Sequence, residues 1–322
     1  MAEMNANAAV ATASDCNKDI ATAKAEFKRT LYDCNGEVAH PDVKNKMDHL
    51  ISLADKKRGD GDEVQWSPAQ DMNINAGRWK ILSAPTFPGG LSSDAGGKDC
   101  GRRKYSLGRM SFGMFCPKKA VCALDGIINI IEPLKMEDEN KNFAGGDVGD
   151  GVNGATDWKQ TYDVHVTLDI YVPDTNTNDS NNDSDSKFAT NKMPAKLCNF
   201  GVCSPQSATR LGVKFSGGTL QPNFDLNENS ALLATWKQVF ENAQSKEKSQ
   251  QSYLSKIAIY IQHALMNYVV GLEAPVDVGD YSQTYKIERP YNGHLDILYI
   301  DEDLRITKGN RGSIVVVERL KN

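Results

Sequence analysis

The chain has 322 residues, 40% of them hydrophobic and 25% charged, with a formal net charge of -5 and a pI near 5.6. No basic stripe interleaved with aromatics marks a nucleic-acid partner, and the densest cationic cluster, Arg102, Arg103 and Lys104, reads as a solvated corner. No apolar run approaches the ~18 residues of a membrane span, so the chain is expected to be soluble or to sit on a lipid surface without crossing it.

Residues 1–17 are Ala- and Asn-rich and read as a flexible tail. They lack an apolar core of signal-peptide length. Glu3, Asp15 and Asp19, with no Arg, are also unlike a transit peptide, so an import signal is either not needed or was removed ahead of this sequence. Two amphipathic helices are expected over 18–60. The first places Ile20, Ala23, Phe27 and Leu31 on one face and stops at Asn35-Gly36. The second starts at Pro41, with Asp42 at the positive end of the dipole, and aligns Val43, Met47, Leu50, Ile51 and Ala54. Two short helices cannot bury both stripes alone, so their apolar faces should cover something else.

From Gly77 the period changes from 3.6 to 2. Strands are expected over 78–84, 104–112, 120–131 and 161–172. The last is the clearest: Tyr162, Val164, Val166, Leu168, Ile170 and Val172 alternate with Asp163, His165, Thr167 and Asp169. A Gly-rich segment near 141–157 and an Asn/Asp/Ser tract near 174–195 read as polar surface insertions. Asp174, Asn176, Asn178 and Asp185 fall near calcium-loop offsets. The required glycine is missing, the last ligand would be Asp rather than Glu, and a strand stands where a helix should precede. A further strand is expected over 210–220 and a helix over 230–244; 252–272 mixes helical spacing with β-branched content and is read as helix. Strands resume at 283–289, 294–300, 304–308 and 313–320. About nine strands after a helical start point to a mainly β fold, an antiparallel sheet closed into a barrel over 74–322 with a helical insertion near 230–272.

Seven cysteines in so long a chain are too sparse for a disulfide scaffold and fit a reducing compartment. Cys116 with Cys122, and Cys198 with Cys203, are spaced too widely for a zinc knuckle and have no histidine beside them. His165 and His294 fall on polar strand faces and read as ordinary exposed residues.

The segment LYIDEDLRITKGNRGSIVVV raises a choice between an anion site and a hairpin. Leu295, Ile297 and Tyr299 alternate before the acidic corner Asp301-Glu302-Asp303. A second turn, Lys308 to Gly312, precedes the run Ile314–Val317. Gly309, Asn310 and Gly312 suit turns with positive φ, and no helix follows to cradle a phosphate, so the hairpin is preferred. Arg305, among carboxylates, is expected to pin the acidic corner with a charge-assisted pair.

This closing segment resembles that of the plastid lipid-associated proteins, or fibrillins. The matching positions are the acidic corner with Asp301 and Asp303, Leu-Arg-Ile with Arg305, and Gly309-Asn310. NINAGRWKILSA, with Gly77, Trp79, Ile81 and Leu82, is similar to the family's first strand, and the helix pair before it agrees in position. The resemblance implies a lipocalin-like β-barrel that binds a lipid, quinone or carotenoid at thylakoids or plastoglobules in the plastid. It implies no cofactor beyond such a bound lipid, and a thylakoid protein complex as a further partner.

Trp79, Val164, Val166, Leu168, Ile170, Ile297 and Tyr299 are the expected lumen-lining residues. Each buried methylene adds about 0.8 kcal/mol, so roughly ten would offset association costs of similar order. The same residues would equally serve as solid core, making the chain a structural coat or accessory subunit on lipid globules or photosynthetic complexes. No nucleophile–base pair, metal constellation or nucleotide loop suggests an enzyme.

Overall fold

The structure, a computed structural model, describes residues 2–59, 66–85, 104–111, 115, 120–134, 159–171, 192–249, 276–277, 281–288 and 292–321. In chain order the elements are α1 (Ala2–Asp33), α2 (Pro41–Gly59), α3 (Met72–Asn75), β1 (Gly77–Ile81), β2 (Lys104–Ser106), α4 (Leu107–Met110) and β3 (Val121–Ile131). These are followed by β4 (Gln160–Thr161), β5 (Asp163–Tyr171), β6 (Lys192–Pro205), β7 (Arg210–Pro222) and α5 (Ser230–Ser249). The last strands are β8 (Val276–Asp277), β9 (Gln283–Lys286), β10 (Asn292–Ile300), β11 (Leu304–Gly309) and β12 (Ile314–Arg319).

Strand pairing runs β4-β6-β5-β3-β1-β12-β11-β10-β7-β9-β8, with β2 on β3 and a further pairing of β6 with β7. That further pairing closes β6-β5-β3-β1-β12-β11-β10-β7 into an eight-stranded antiparallel β-barrel. The fold is therefore mainly β with a helical N-terminus, as the alternation in the sequence predicts. By compactness the chain divides into two units: Met1–Pro85, Ser204–Gly212 and Gly293–Asn322 form one, and Thr86–Cys203 with Val213–Asn292 the other.

In the first unit the helical stripes find their partner. Phe27, Leu31, Val43, Met47 and Leu50 are buried together with Tyr299, Leu304, Ile306 and Val316 from the outer face of β10–β12; Ile20 and Ile51 pack at the edge. Asn35 and Gly36, both at positive φ, end α1 at the turn into α2. The corner between β10 and β11 is fastened to α1 through Asp301. Its Oδ1 accepts the backbone N–H groups of Asp303 and Leu304 at 2.8 Å each. Its Oδ2 accepts the Tyr299 hydroxyl at 2.6 Å and Lys24 Nζ at 2.8 Å. A second lysine, Lys28, pairs with Glu318 on β12.

In the second unit β3, β5 and β6 form a continuous ladder, and β9 extends it on β7. Gly217 and Gly218 allow the close approach: a Cβ on Gly218 would lie 2.7 Å from Cys198 O and from the Tyr285 ring. On α5, Trp236 stacks on Phe240 with ring centroids 4.5 Å apart and donates its Nε1–H to Tyr281 O at 3.0 Å.

Several expectations need correction. The segment 1–17, expected as a flexible tail, is helical from Ala2. It holds neither Gly nor Pro and is rich in alanine, the strongest helix former. The strand expected over 104–112 stops at Ser106 and turns into α4, which lets Leu107 and Met110, three apart, both be buried. The fourteen-residue strand β6 was not anticipated; it begins inside the tract expected as a polar insertion and carries Pro194, Gly201 and Pro205, residues that disfavour strands. Of Gly309, Asn310 and Gly312, Gly312 alone has positive φ, at 81°. The stretches 141–157 and 252–272, and most of 174–195, lie outside the described residues.

Burial raises the Asp301 pKa, but the hydrogen bonds from Lys24, Tyr299 and the two backbone N–H groups outweigh it and hold the carboxyl below its ordinary value. A carboxyl whose pKa is lower folded than unfolded stabilises the fold above its unfolded pKa of about 4; that contribution fades as the pH falls through the folded value. Replacing Asp301 by Ala should therefore cost about 2–4 kcal/mol at pH 7 in urea unfolding and flatten the acid limb of the stability profile. An unchanged acid limb would show that the corner carboxylate contributes nothing.

Candidate functional site

Residues directly opposite one another on adjacent antiparallel strands share a face, so the register of each ladder assigns the candidates to faces. In the first unit, Trp79 opposes Arg319, and Ile81 opposes Val317. Arg305 opposes Val317 and Ile300, while Thr307 opposes Val315 and Ile297. These residues occupy the face turned away from α1 and α2, since Leu304, Ile306 and Val316 take the other.

Trp79 is fully buried on that face. Its position is set locally: Asp71 caps α3 by accepting from the N–H groups of Asn73 and Ile74. The chain then turns at Gly77, whose φ of 123° and lack of Cβ leave room for the Arg319 guanidinium 2.6 Å from where a Cβ would stand. The indole Nε1–H donates to Asn75 O at 2.9 Å. The Arg319 guanidinium lies 4.1 Å from the ring centroid and that of Arg305 4.7 Å. Arg319 also donates to Glu302 O and Ile74 O at 2.6 Å each, and to Ala76 O. The ring quadrupole attracts both cations, and these bonds hold Arg319 in addition.

The expected corner role of Arg305 is thus corrected. At 2% exposure its side chain is on the Trp79 face, opposite the helices, and Asp301 with Lys24 fastens the corner instead. The reason is strand period: Arg305 lies between Leu304 and Ile306, both committed to the helix pair. Tyr299 is corrected likewise. An irregularity between Ile297 and Tyr299 adds one residue, which turns Tyr299 to the helices and leaves Ile297 opposite Thr307.

In the second unit the other candidates share one face in successive rows. Cys122, Ile170 and Met193 form the first, and Leu124, Leu168 and Ala195 the second. Ile127, Val166 and Leu197 form the third, and Asn129, Val164 and Asn199 the fourth. The first three rows hold no polar side chain beyond a thiol, and all but Leu124 are buried. Burial pushes the Cys122 thiol up to about 12, so it behaves as an apolar group. The opposite face of β5 carries His165, Thr167 and Asp169, with Cys198 and Lys196 beside them on β6. His165 and His294 are half-buried rather than exposed.

Sequence reading missed Asn129, Asn199 and Tyr285. The signal for Asn129 was a single polar residue inside the run IINII; Asn199 was hidden with the unrecognised strand β6. Among the described residues no three His, Cys, Asp or Glu side chains gather as a metal site, and no helix is long and apolar enough to cross a membrane.

Residues 174–318 match the family model PAP_fibrillin, which supports the plastid lipid-associated, or fibrillin, family for this chain. The matched segment includes the corner motif with Asp301, Asp303, Arg305, Gly309 and Asn310; the strand bearing Gly77 and Trp79 lies outside it. No curated protein and no solved structure matches.

Because Trp79 is fully buried, Trp79→Ala should lower stability by about 3–5 kcal/mol in denaturant unfolding. A loss below about 1 kcal/mol would mean that the two guanidinium groups do not depend on the ring.

Proposed function

We propose that the chain is a plastid lipid-associated protein that binds a hydrophobic small molecule, a lipid, quinone or carotenoid, and associates with thylakoid or plastoglobule surfaces. It acts as a carrier or holder rather than as an enzyme. The family match supports the lipid-associated reading, and the family's plastid association supports the location. The observation that carries the binding proposal is the second unit's face of nine residues from Cys122 to Leu197. Three full rows hold no charge, and an uncharged apolar surface is what an isoprenoid or acyl tail recognises. Affinity from such a face comes from buried methylenes, about 0.8 kcal/mol each, and selectivity among tails of similar length should be broad.

One observation favours a second reading, that of a structural coat or accessory subunit on lipid globules or photosynthetic complexes with no specific ligand. In the first unit the sheet face turned away from the helices is occupied by the Trp79 ring and the two arginines over it, an arrangement of packed core.

Extraction and mass spectrometry of the purified full-length chain after exposure to plastid lipids separates the two. The binding reading predicts one prenyl lipid, quinone or carotenoid at near-stoichiometric amount, and a loss of at least about tenfold in Leu168→Trp, whose larger ring fills the face at a folding cost of about 1–3 kcal/mol. A lipid-free protein that still floats with lipid vesicles overturns it in favour of the coat.

A further inference from the structure

The fourth row of the second unit's face differs in kind from the other three. Asn129 on β3, Val164 on β5 and Asn199 on β6 stand directly across from one another, next to Ile127, Val166 and Leu197. Tyr285 on β9 joins this row from the far side: its hydroxyl donates to Asn199 Oδ1 at 3.0 Å. The ring reaches that position because Gly218, opposite Tyr285 in the ladder, has no side chain; a Cβ there would lie 2.7 Å from the ring and 2.8 Å from Asn199 Oδ1. Phe115 fixes the other edge of the ring, with centroids 5.5 Å apart and planes at 72°. Asn129 is anchored by its Nδ2–H donated to Asp163 O at 3.1 Å.

Tyr285 and Asn129 are each 2% exposed, whereas Val164 and Asn199 are half-buried. The row is therefore polar, uncharged and accessible at its middle, and it borders nine apolar residues. Because the Asn199 carbonyl oxygen accepts the tyrosine hydroxyl, the amide NH2 is the group with which Asn199 can donate outward. Burial pushes the Tyr285 hydroxyl up to about 12, so it remains a neutral donor across the physiological range.

We propose that the row Asn129–Val164–Asn199 with Tyr285 is the head-group subsite for a ligand whose tail lies along the apolar rows, and that it selects an uncharged, hydrogen-bond-accepting head such as the carbonyl of a prenyl quinone. This rests on the binding reading above. A carboxylate or phosphate head would enter this row without a cation to meet it, since none of its four side chains is charged, and desolvation would oppose it. A pure hydrocarbon would cover the half-buried Asn199 amide without replacing its hydrogen bonds to water. A quinone carbonyl avoids both costs.

Competition binding with the full-length chain tests the subsite. Three probes share one prenyl tail: a benzoquinone head, a carboxylate head and the bare hydrocarbon. The wild type should favour the quinone over the other two by at least about tenfold. Asn199→Leu should weaken quinone binding by about five- to tenfold while leaving the hydrocarbon unchanged or tighter; Tyr285→Phe, which keeps the ring, should give a smaller loss of the same sign. Equal weakening of all three probes, or no change in the quinone with either variant, overturns the subsite while leaving the apolar face as a binder. Binding of none of the probes by the folded wild type overturns both.

Discussion

A β-strand delivers alternate side chains to opposite faces, and one added residue reverses every assignment beyond it. This constraint decides which residues of the chain can meet a ligand. Between Ile297 and Tyr299 the ladder of β10 and β11 slips by one, so Ile297 stays beside Thr307 while Tyr299 joins Leu304, Ile306 and Val316 under the helices. Between Leu124 and Gly126 a second slip on β3 keeps Leu124 opposite Leu168 and Ile127 opposite Val166, so that the apolar rows stay aligned across three strands. The acidic corner depends on the same periodicity. With Leu304 and Ile306 directed to the helices, Arg305 must face Trp79, and fastening of the corner falls to Asp301 and Lys24.

The two sheet faces divide the work between stability and binding. The Trp79 face is stabilised by an indole with two guanidinium groups against its ring, with Arg319 further tied to three backbone carbonyls. Such an arrangement fills space and leaves little for a ligand to replace. The second unit's face is built from Val, Ile, Leu, Met, Ala and a thiol, whose only mutual attraction is non-directional. Non-directional surfaces tolerate a foreign apolar tail. The three polar side chains of the fourth row add the orientation that an apolar surface cannot supply.

Much of this was legible in the sequence. The helix pair was readable because Phe27, Leu31, Val43, Met47 and Leu50 repeat at helical spacing, and β5 because the nine positions from Tyr162 to Ile170 alternate cleanly. The closing hairpins were readable from turn residues and from the family resemblance. What escaped had local causes. Strand β6 carries two prolines and a glycine, residues whose local preferences argue against a strand; pairing with β5 over Lys192–Asn199 and with β4 at Val202 and Cys203 overrides them. The reversed orientation of Tyr299 rests on a register slip that leaves no mark in the alternation of Leu295, Ile297 and Tyr299. The partnership of Asn199 with Tyr285 joins residues 86 apart and depends on Gly218 being bare, which no spacing rule encodes.

Binding at the second unit's apolar rows requires a hydrophobic ligand to lie against β5 and β6. Photo-crosslinking with a diazirine placed on the tail of a prenyl quinone, followed by peptide mapping, reads this directly. Label concentrated on peptides spanning Asp163–Tyr171 and Lys192–Asn199 is the predicted result. Label confined to α1 and α2, or spread evenly over the chain in proportion to exposure, would contradict the assignment of the second unit's apolar rows as the binding surface.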